Sequence, residues 1–366
     1  MFGILLTMNN LEKLHLEFDQ SPWLDNLSRD LLHSGKLADY ATSGIRGVTS
    51  NPTILEKAIL GSSAYDEQIK LLSATGADAQ AIYWRIIEDD IKEAAALLRP
   101  IWDASSGGDG FVSLEVSPRL AEDPASTLEQ AKRLWAEVGQ PNLMVKIPAT
   151  DASMPVIRDL LLAGINVNVT LIFSLDHYKL VADAHLASHL PGQENLARSV
   201  ASFFVSRVDS EIDKRLEVIG TQEALDLRGQ AAVAQAHMAY SIFLDKFGAH
   251  LEQDPQGAAI QRLLWASTST KNPAYDDLLY VTYLVAPHTV NTLPEDTIEK
   301  ILDHLPQNTQ AISADYMVHA SETMEKLQQV GIDFESVAIA LESEGIQKFQ
   351  ASFDSLLQAI TTKMSQ

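Results

Sequence analysis

The chain of 366 residues contains no cysteine. That excludes disulfides, thiolate nucleophiles and cysteine-ligated zinc or iron–sulfur centres, and it accords with a reducing, cytoplasmic location. Basic residues are scarce. Lys and Arg total 27 against 49 Asp and Glu, a formal charge of −22. So acidic a chain is repelled by nucleic-acid backbones and anionic lipid, and a small anionic substrate would need cations gathered locally. No apolar run approaches the ~20 residues of a membrane span. The opening "MFGILLTMNN" lacks the basic start and small-residue cleavage site of a signal peptide. No G-x-G-x-x-G opens a helix and there is no P-loop; "SSGGDG" (105–110) reads as a turn. Low-complexity segments and linkers are also missing.

What is present is a strand–helix alternation. Short apolar or alternating runs occur at 21–27, 46–51, 110–116, 142–148, 165–173, 199–206, 262–269 and 279–286 ("LYVTYLVA"). The helices between them have readable ends. Asp123 and Pro124 suit N-cap and first-turn positions, Gly139 suits a C-terminal stop, and the helix after Asp151 ends the same way at Gly164. The long stretch from Asp209 to Gln261 is expected to hold two or more helices. Parallel strands joined by right-handed crossovers follow from this order, and eight of them suggest a closed (β/α)8 TIM barrel, fold class α/β. Beyond 294 the pattern is helical, with Ile346, Phe349, Phe353, Leu356, Leu357 and Ile360 on one stripe. The expectation is one domain over 1–366: a barrel from roughly 20 to 293, with additional C-terminal helices (294–366) packed on it.

Side chains alternate faces along a strand. In "GFVSLEV" Ser113 and Glu115 share one face; in "NLMVKIP" Met144 and Lys146 do; in "INVNVTLIF" Asn166, Asn168 and Thr170 do, opposite Val167, Val169 and Leu171. Helices cover the outside of a barrel, so these polar sets point inward, toward the strand ends where barrel enzymes place their chemistry. An amine in a mostly closed site loses the solvation that favours its ammonium, and a neutral amine attacks a carbonyl to form a Schiff base. Lys146 suits that role. Glu115 and Thr170 suit a water needed to form and hydrolyse the imine, and Asp25, ending the first strand, suits proton removal from a substrate hydroxyl. A structural Lys–Glu ion pair in a barrel core is the alternative.

The motifs "WLDNLSR", "GVTSNPTI", "VSLEVSP", "NLMVKIPAT", "GINVNVTLIFS", "SFFVSRVD" and "WASTSTKNP" resemble the transaldolases, Schiff-base enzymes of the pentose phosphate pathway, from about Trp23 to Asn291. The likeness is greatest to a longer bacterial subfamily, some members of which are fused to a glucose-6-phosphate isomerase; a chain ending at Gln366 is expected to lack that domain. The resemblance implies Lys146 as Schiff-base lysine, Asp25 as acid–base group, and Glu115 working through a water held by Thr170. It implies that Asn51 and Asn168 hold hydroxyls of the three-carbon unit, that Ser202 and Phe204 close the pocket, and that Arg207 and Ser267 bind the substrate phosphate. Many transaldolases carry an arginine soon after that serine; here "ASTSTKN" offers Lys271. Arg207 breaks the alternation set by Ser202 and Phe204, so it is expected beyond the strand end or after a bulge.

The implied reaction moves a dihydroxyacetone unit between sugar phosphates, with no cofactor and no metal. A lyase releasing dihydroxyacetone is the near rival, disfavoured because Glu115 and Phe204 stand where aldolase-type relatives tend to carry glutamine and tyrosine. A non-catalytic sugar-phosphate-binding barrel is the third reading. The i, i+4 histidines of "HLASH" (185–189) read as a surface helix face, not zinc; His177, His237 and His288 have no evident partner, and Trp135 and Trp265 read as packing. Sequence alone leaves the oligomeric state open.

Overall fold

A computed structural model describes residues 8–188, 197–254 and 259–365. Eight parallel strands close into a barrel in chain order. They are β1 (Gln20–Leu24), β2 (Gly47–Thr49), β3 (Phe111–Glu115), β4 (Leu143–Pro148), β5 (Val167–Ile172), β6 (Ser199–Phe204), β7 (Gln261–Ala266) and β8 (Thr289–Leu293). Helices lie between consecutive strands, and three of them (Ser206–Ile219, Gln222–Leu225, Ala231–Gln253) fill the long connection before β7. The helix read as starting at Asp123 does so: its side chain accepts from the Ser126 amide, and the helix spans Pro124–Val138 before Gly139 turns left-handed. Among the described residues no helix is long and apolar enough to cross a membrane.

One strand differs from the sequence expectation. "LYVTYLVA" is not a strand; it forms a short helix, Leu279–Thr282, and a turn, and the eighth strand is the more polar Thr289–Leu293. The Tyr280 hydroxyl donates to Asp209 Oδ2 at 2.7 Å, and Ile312 N donates to the Val285 carbonyl at 2.8 Å. Aromatic and β-branched composition favours a strand, but these tertiary partners claim the segment. Thr289–Leu293 closes the barrel between β7 and β1.

The amino-terminal mouth of the barrel is occupied by a charged network. Arg262 donates to Asp109 Oδ1 (3.1 Å), the Ser21 hydroxyl and the Thr289 carbonyl (each 2.7 Å), and Ser21 donates to Asp109 Oδ2. At the other mouth the C-terminal helix, Phe334–Met364, lies across the strand ends. Leu341, Phe349, Phe353, Leu356 and Ile360 on it are buried in the same apolar cluster as the barrel strands. Polar ties hold its flanks: Arg119 to Asp354, Gln350 to the Pro118 carbonyl, Ser352 to Thr53, and Lys363 to the Ser62 carbonyl. The last helix thus packs against the barrel and roofs this mouth.

Candidate active site

Register brings the inward polar residues into rows. Glu115, Lys146 and Asn168 are direct neighbours across β3, β4 and β5. Lys146 Nζ lies 3.6 Å from Glu115 Oε2, both side chains buried, and donates to the Ser50 carbonyl at 3.3 Å. One strand further, the Ser202 hydroxyl donates to Asn168 Oδ1 (2.7 Å), whose Nδ2 donates to the Ser113 hydroxyl (3.0 Å). Alternation predicts these inward faces, and the two ends of β4 show it: Lys146 lines the carboxyl-end cavity while Met144 lines the hollow at the opposite mouth.

The carboxyl-end cavity, about 130 Å³, brings together Asp25, Asn51, Lys146, Ser202, Phe204, Arg207, Ser267 and Lys271. Asp25 follows β1, its amide donating to the Leu293 carbonyl of β8 at 2.9 Å. Asn51 caps the helix Pro52–Gly61 through Oδ1, which leaves its Nδ2 as a donor. Arg207 is the second residue of the helix Ser206–Ile219, beyond the end of β6 as expected. Its guanidinium stacks on Phe204 at 5.2 Å, and Phe204 in turn contacts Phe173. Ser267, just past β7, has left-handed backbone (φ +59°), and its hydroxyl meets that of Ser206 at 2.9 Å.

Glu115, Asn168 and Thr170 do not line this cavity; they lie in the layer behind Lys146. Glu115 Oε2 and Thr170 Oγ1 are buried without a hydrogen-bond partner among the described residues. A polar atom in that position costs free energy unless satisfied. Along β5 the alternation fails at Leu171, where φ is +62° and the register with β6 shifts. Leu171 turns toward the C-terminal helix, where its Cδ2 would lie 3.1 Å from a Cβ on Gly345.

Burial raises the carboxyl of Asp25 above its ordinary range, with Lys146, Lys271 and Arg207 opposing the shift. Burial likewise raises Glu115, opposed by Lys146 and Arg207. Burial lowers Arg207, although Glu344, Asp25 and Glu115 favour its charge. Two buried carboxyls pressed toward their protonated forms beside an amine are the arrangement in which protons can be exchanged near neutral pH.

Sequence reading missed Phe349, Thr49, Ser269 and Thr292, which also line the cavity. Phe349 belongs to a stripe that reads as packing. Thr292 lies in the strand that had been placed elsewhere. The histidines do have partners. His177 faces Glu342 (3.4 Å), His237 meets the Tyr283 carbonyl (2.8 Å) and stacks on Tyr316, and His288 pairs with Asp19 (2.8 Å). His185 is fully buried against Phe247, not on a helix surface, and His189 lies outside the described residues. A larger hollow of about 790 Å³ is an open groove between the helices Ala79–Ala104 and Pro124–Val138; its Arg133 is already paired with Glu137 and Glu88.

The family model described as transaldolase/fructose-6-phosphate aldolase matches residues 22–360. The chain belongs to that family. It is similar to proteins named transaldolase. One from Mycolicibacterium smegmatis is 49% identical over 351 residues, 93% of each chain. One from Mycobacterium ulcerans is 47% identical over 357 residues, 94% of each chain. One from Mycobacterium tuberculosis is 47% identical over 347 residues, 92% of this chain and 93% of its own.

Proposed function

We propose that this chain is a transaldolase that works through a Schiff base on Lys146. The observation that carries the reading is a buried amine 3.6 Å from a buried carboxyl, facing a cavity that also holds Asp25 and Arg207. The Lys146 amine attacks the C2 carbonyl of a ketose phosphate such as fructose 6-phosphate. The carbinolamine loses water, with Glu115 passing protons through a water shared with Thr170; one water bridging Glu115 Oε2 and Thr170 Oγ1 would give each the hydrogen bond it otherwise lacks. The Asp25 carboxylate takes the C4 hydroxyl proton. The C3–C4 bond then breaks, its electron pair moves into the iminium, and an enamine of dihydroxyacetone stays on Lys146 while glyceraldehyde 3-phosphate leaves. Erythrose 4-phosphate enters, the enamine carbon attacks its aldehyde, and Asp25 returns the proton to the new hydroxyl. Hydrolysis frees sedoheptulose 7-phosphate. Asn51 and Ser202 fit the hydroxyls of the three-carbon unit, Asn168 holds Ser202, Phe204 walls the pocket, and Arg207, Ser267 and Lys271 fit the phosphate. Sugar phosphates are therefore the partners, and the non-oxidative pentose phosphate pathway the context. A chain without cysteine suits the cytoplasm; cell fractionation finding it outside that compartment would reject the placement.

The decisive experiment incubates the protein with fructose 6-phosphate, reduces it with borohydride and maps the modified peptide. The expected result is a dihydroxyacetone-derived mass increment on Lys146, absent in Lys146→Arg, whose guanidinium stays protonated and forms no imine. Turnover should fall by ~10³-fold or more in that variant while folding is retained. Substantial turnover of Lys146→Arg, with no trapping in the wild type, refutes the mechanism. Release of free dihydroxyacetone as fast as transfer to erythrose 4-phosphate would make the enzyme a lyase.

A further inference from the structure

In a chain of net charge −22, cations gathered at one place stand out. Arg119, Arg158, Arg215, Lys246 and Lys363 each meet a carboxylate. Several surface lysines, such as Lys57 and Lys132, also lack an ion pair among the described residues, but Arg207 and Lys271 do so while lining one cavity, and Lys348, likewise without an ion pair, adjoins the cavity-lining Phe349. Arg207 stacks on Phe204, and Lys271 donates only to the Ser269 hydroxyl. Lys348 sits on the C-terminal helix. On that helix Gly345, Lys348, Phe349 and Ser352 share a face, by the three- and four-residue spacing of helix neighbours. That face runs across the cavity. At one end Gly345 has no side chain, which lets the helix come close to Leu171 and to the Arg207 guanidinium; a Cβ there would be 3.6 Å from Arg207 Nη1. In the middle Phe349 lines the cavity. At the other end Ser352 meets Thr53, just after Asn51, at 2.9 Å. Lys348, next to the cavity-lining Phe349 on this helix, is exposed.

We propose that Lys348 is a third cation of the phosphate site, so that the C-terminal helix takes part in recognising the phosphorylated end of the substrate. This deepens the function proposed above and rests on it for the substrate's identity. A phosphate monoester carries close to two negative charges, and cations from three elements can meet it from three sides. The ammonium of Lys271 is disfavoured first by burial, then by Arg207 and Lys348, with Asp296 and Asp25 opposing; a bound dianion would relieve the mutual repulsion. Glu344 is the acidic neighbour on the same helix, and its charge is felt by Arg207.

Lys348→Gln changes an exposed residue and leaves the packed face intact. The expected result is a KM for glyceraldehyde 3-phosphate raised about three- to tenfold, with a much smaller change for unphosphorylated glyceraldehyde. Lys348→Arg should restore the wild-type KM ratio. A second readout does not depend on turnover: inorganic phosphate should raise the melting temperature of the wild type, and less so that of Lys348→Gln, because a ligand of the native state stabilises according to its affinity. Failure of borohydride trapping would remove the Schiff-base reading but not the phosphate difference. Equal KM changes for both acceptors, or identical protection by phosphate, overturns the role of Lys348.

Discussion

At the scale of single residues, the chemistry depends on two carboxyls that burial raises. Asp25 must be ionised to take the C4 proton, and burial holds its carboxyl above the ordinary range. The acid limb of kcat/KM should therefore lie above the ~4 of a free aspartate, and activity should rise with pH through the raised value. A pH–rate profile for cleavage of fructose 6-phosphate checks this; a limb at ordinary aspartate pH would mean that Asp25 is not the base. Phe204 bears on what happens to the enamine. A phenyl ring offers no proton, whereas a tyrosine hydroxyl at the same place, facing the cavity, could donate one or order a water that does. Phe204→Tyr should raise release of free dihydroxyacetone and lower transfer to erythrose 4-phosphate, as read by a coupled assay of both products. An unchanged ratio would show that the ring does not govern the enamine's lifetime. Glu115 and Lys146 were legible in the sequence because a polar residue inside a buried strand has to face something, and Asp25 because it ends the first strand; the role of Phe204 came from the family resemblance.

At the scale of elements, the C-terminal helix departs furthest from what its sequence suggests. Its stripe reads as ordinary packing, yet the stripe spans the active-site mouth. Phe353 is 1% exposed and meets Tyr83 edge-on at 5.2 Å. Phe353→Ala should cost about 3–5 kcal/mol by urea denaturation, the usual penalty for emptying a buried aromatic site. Because the same helix presents Phe349 to the cavity, KM should rise in the surviving folded protein; a stability loss with unchanged KM would uncouple roof from pocket. The segment 279–286 failed as a strand for a different reason. Its apolar and aromatic residues satisfy strand and buried-turn templates equally, and the choice was made by Asp209, more than sixty residues earlier. No local window contains that information.

For the whole molecule, the abundance of acid has a consequence for stability. Asp209 accepts from the Ala232 amide and the Tyr280 hydroxyl, each at 2.7 Å, yet burial raises its carboxyl to about 6. An unfolded aspartate titrates near 3.9. The native state thus holds a proton that the unfolded chain gives up earlier. The resulting stabilisation is full below pH ~4 and is lost as pH rises through about 6, amounting to about 3 kcal/mol for this group. Urea midpoints should fall between about pH 4 and about pH 6, and Asp209→Asn should flatten that slope. A wild-type midpoint that rises over this interval would show that the buried carboxyl ionises freely in the native state.

Periodicity determined seven of the eight strands, the inward faces of β3 to β6 short of Leu171 and the identity of the buried amine, because a two-residue alternation in a sheet covered by helices leaves a polar side chain one direction to point. Local rules also set the helix caps at Asp123 and Asn51. Three features were decided only by tertiary structure. The eighth strand is one, since β7 and β1 select the segment that closes the ring. Another is the break in alternation at Leu171, where the C-terminal helix presses on β5. The last is the membership of the site, in which Phe349 joins a pocket whose strands ended decades of residues before it. A side chain's direction follows from its nearest neighbours in sequence, but its partner across a cavity depends on how the remaining chain closes over it.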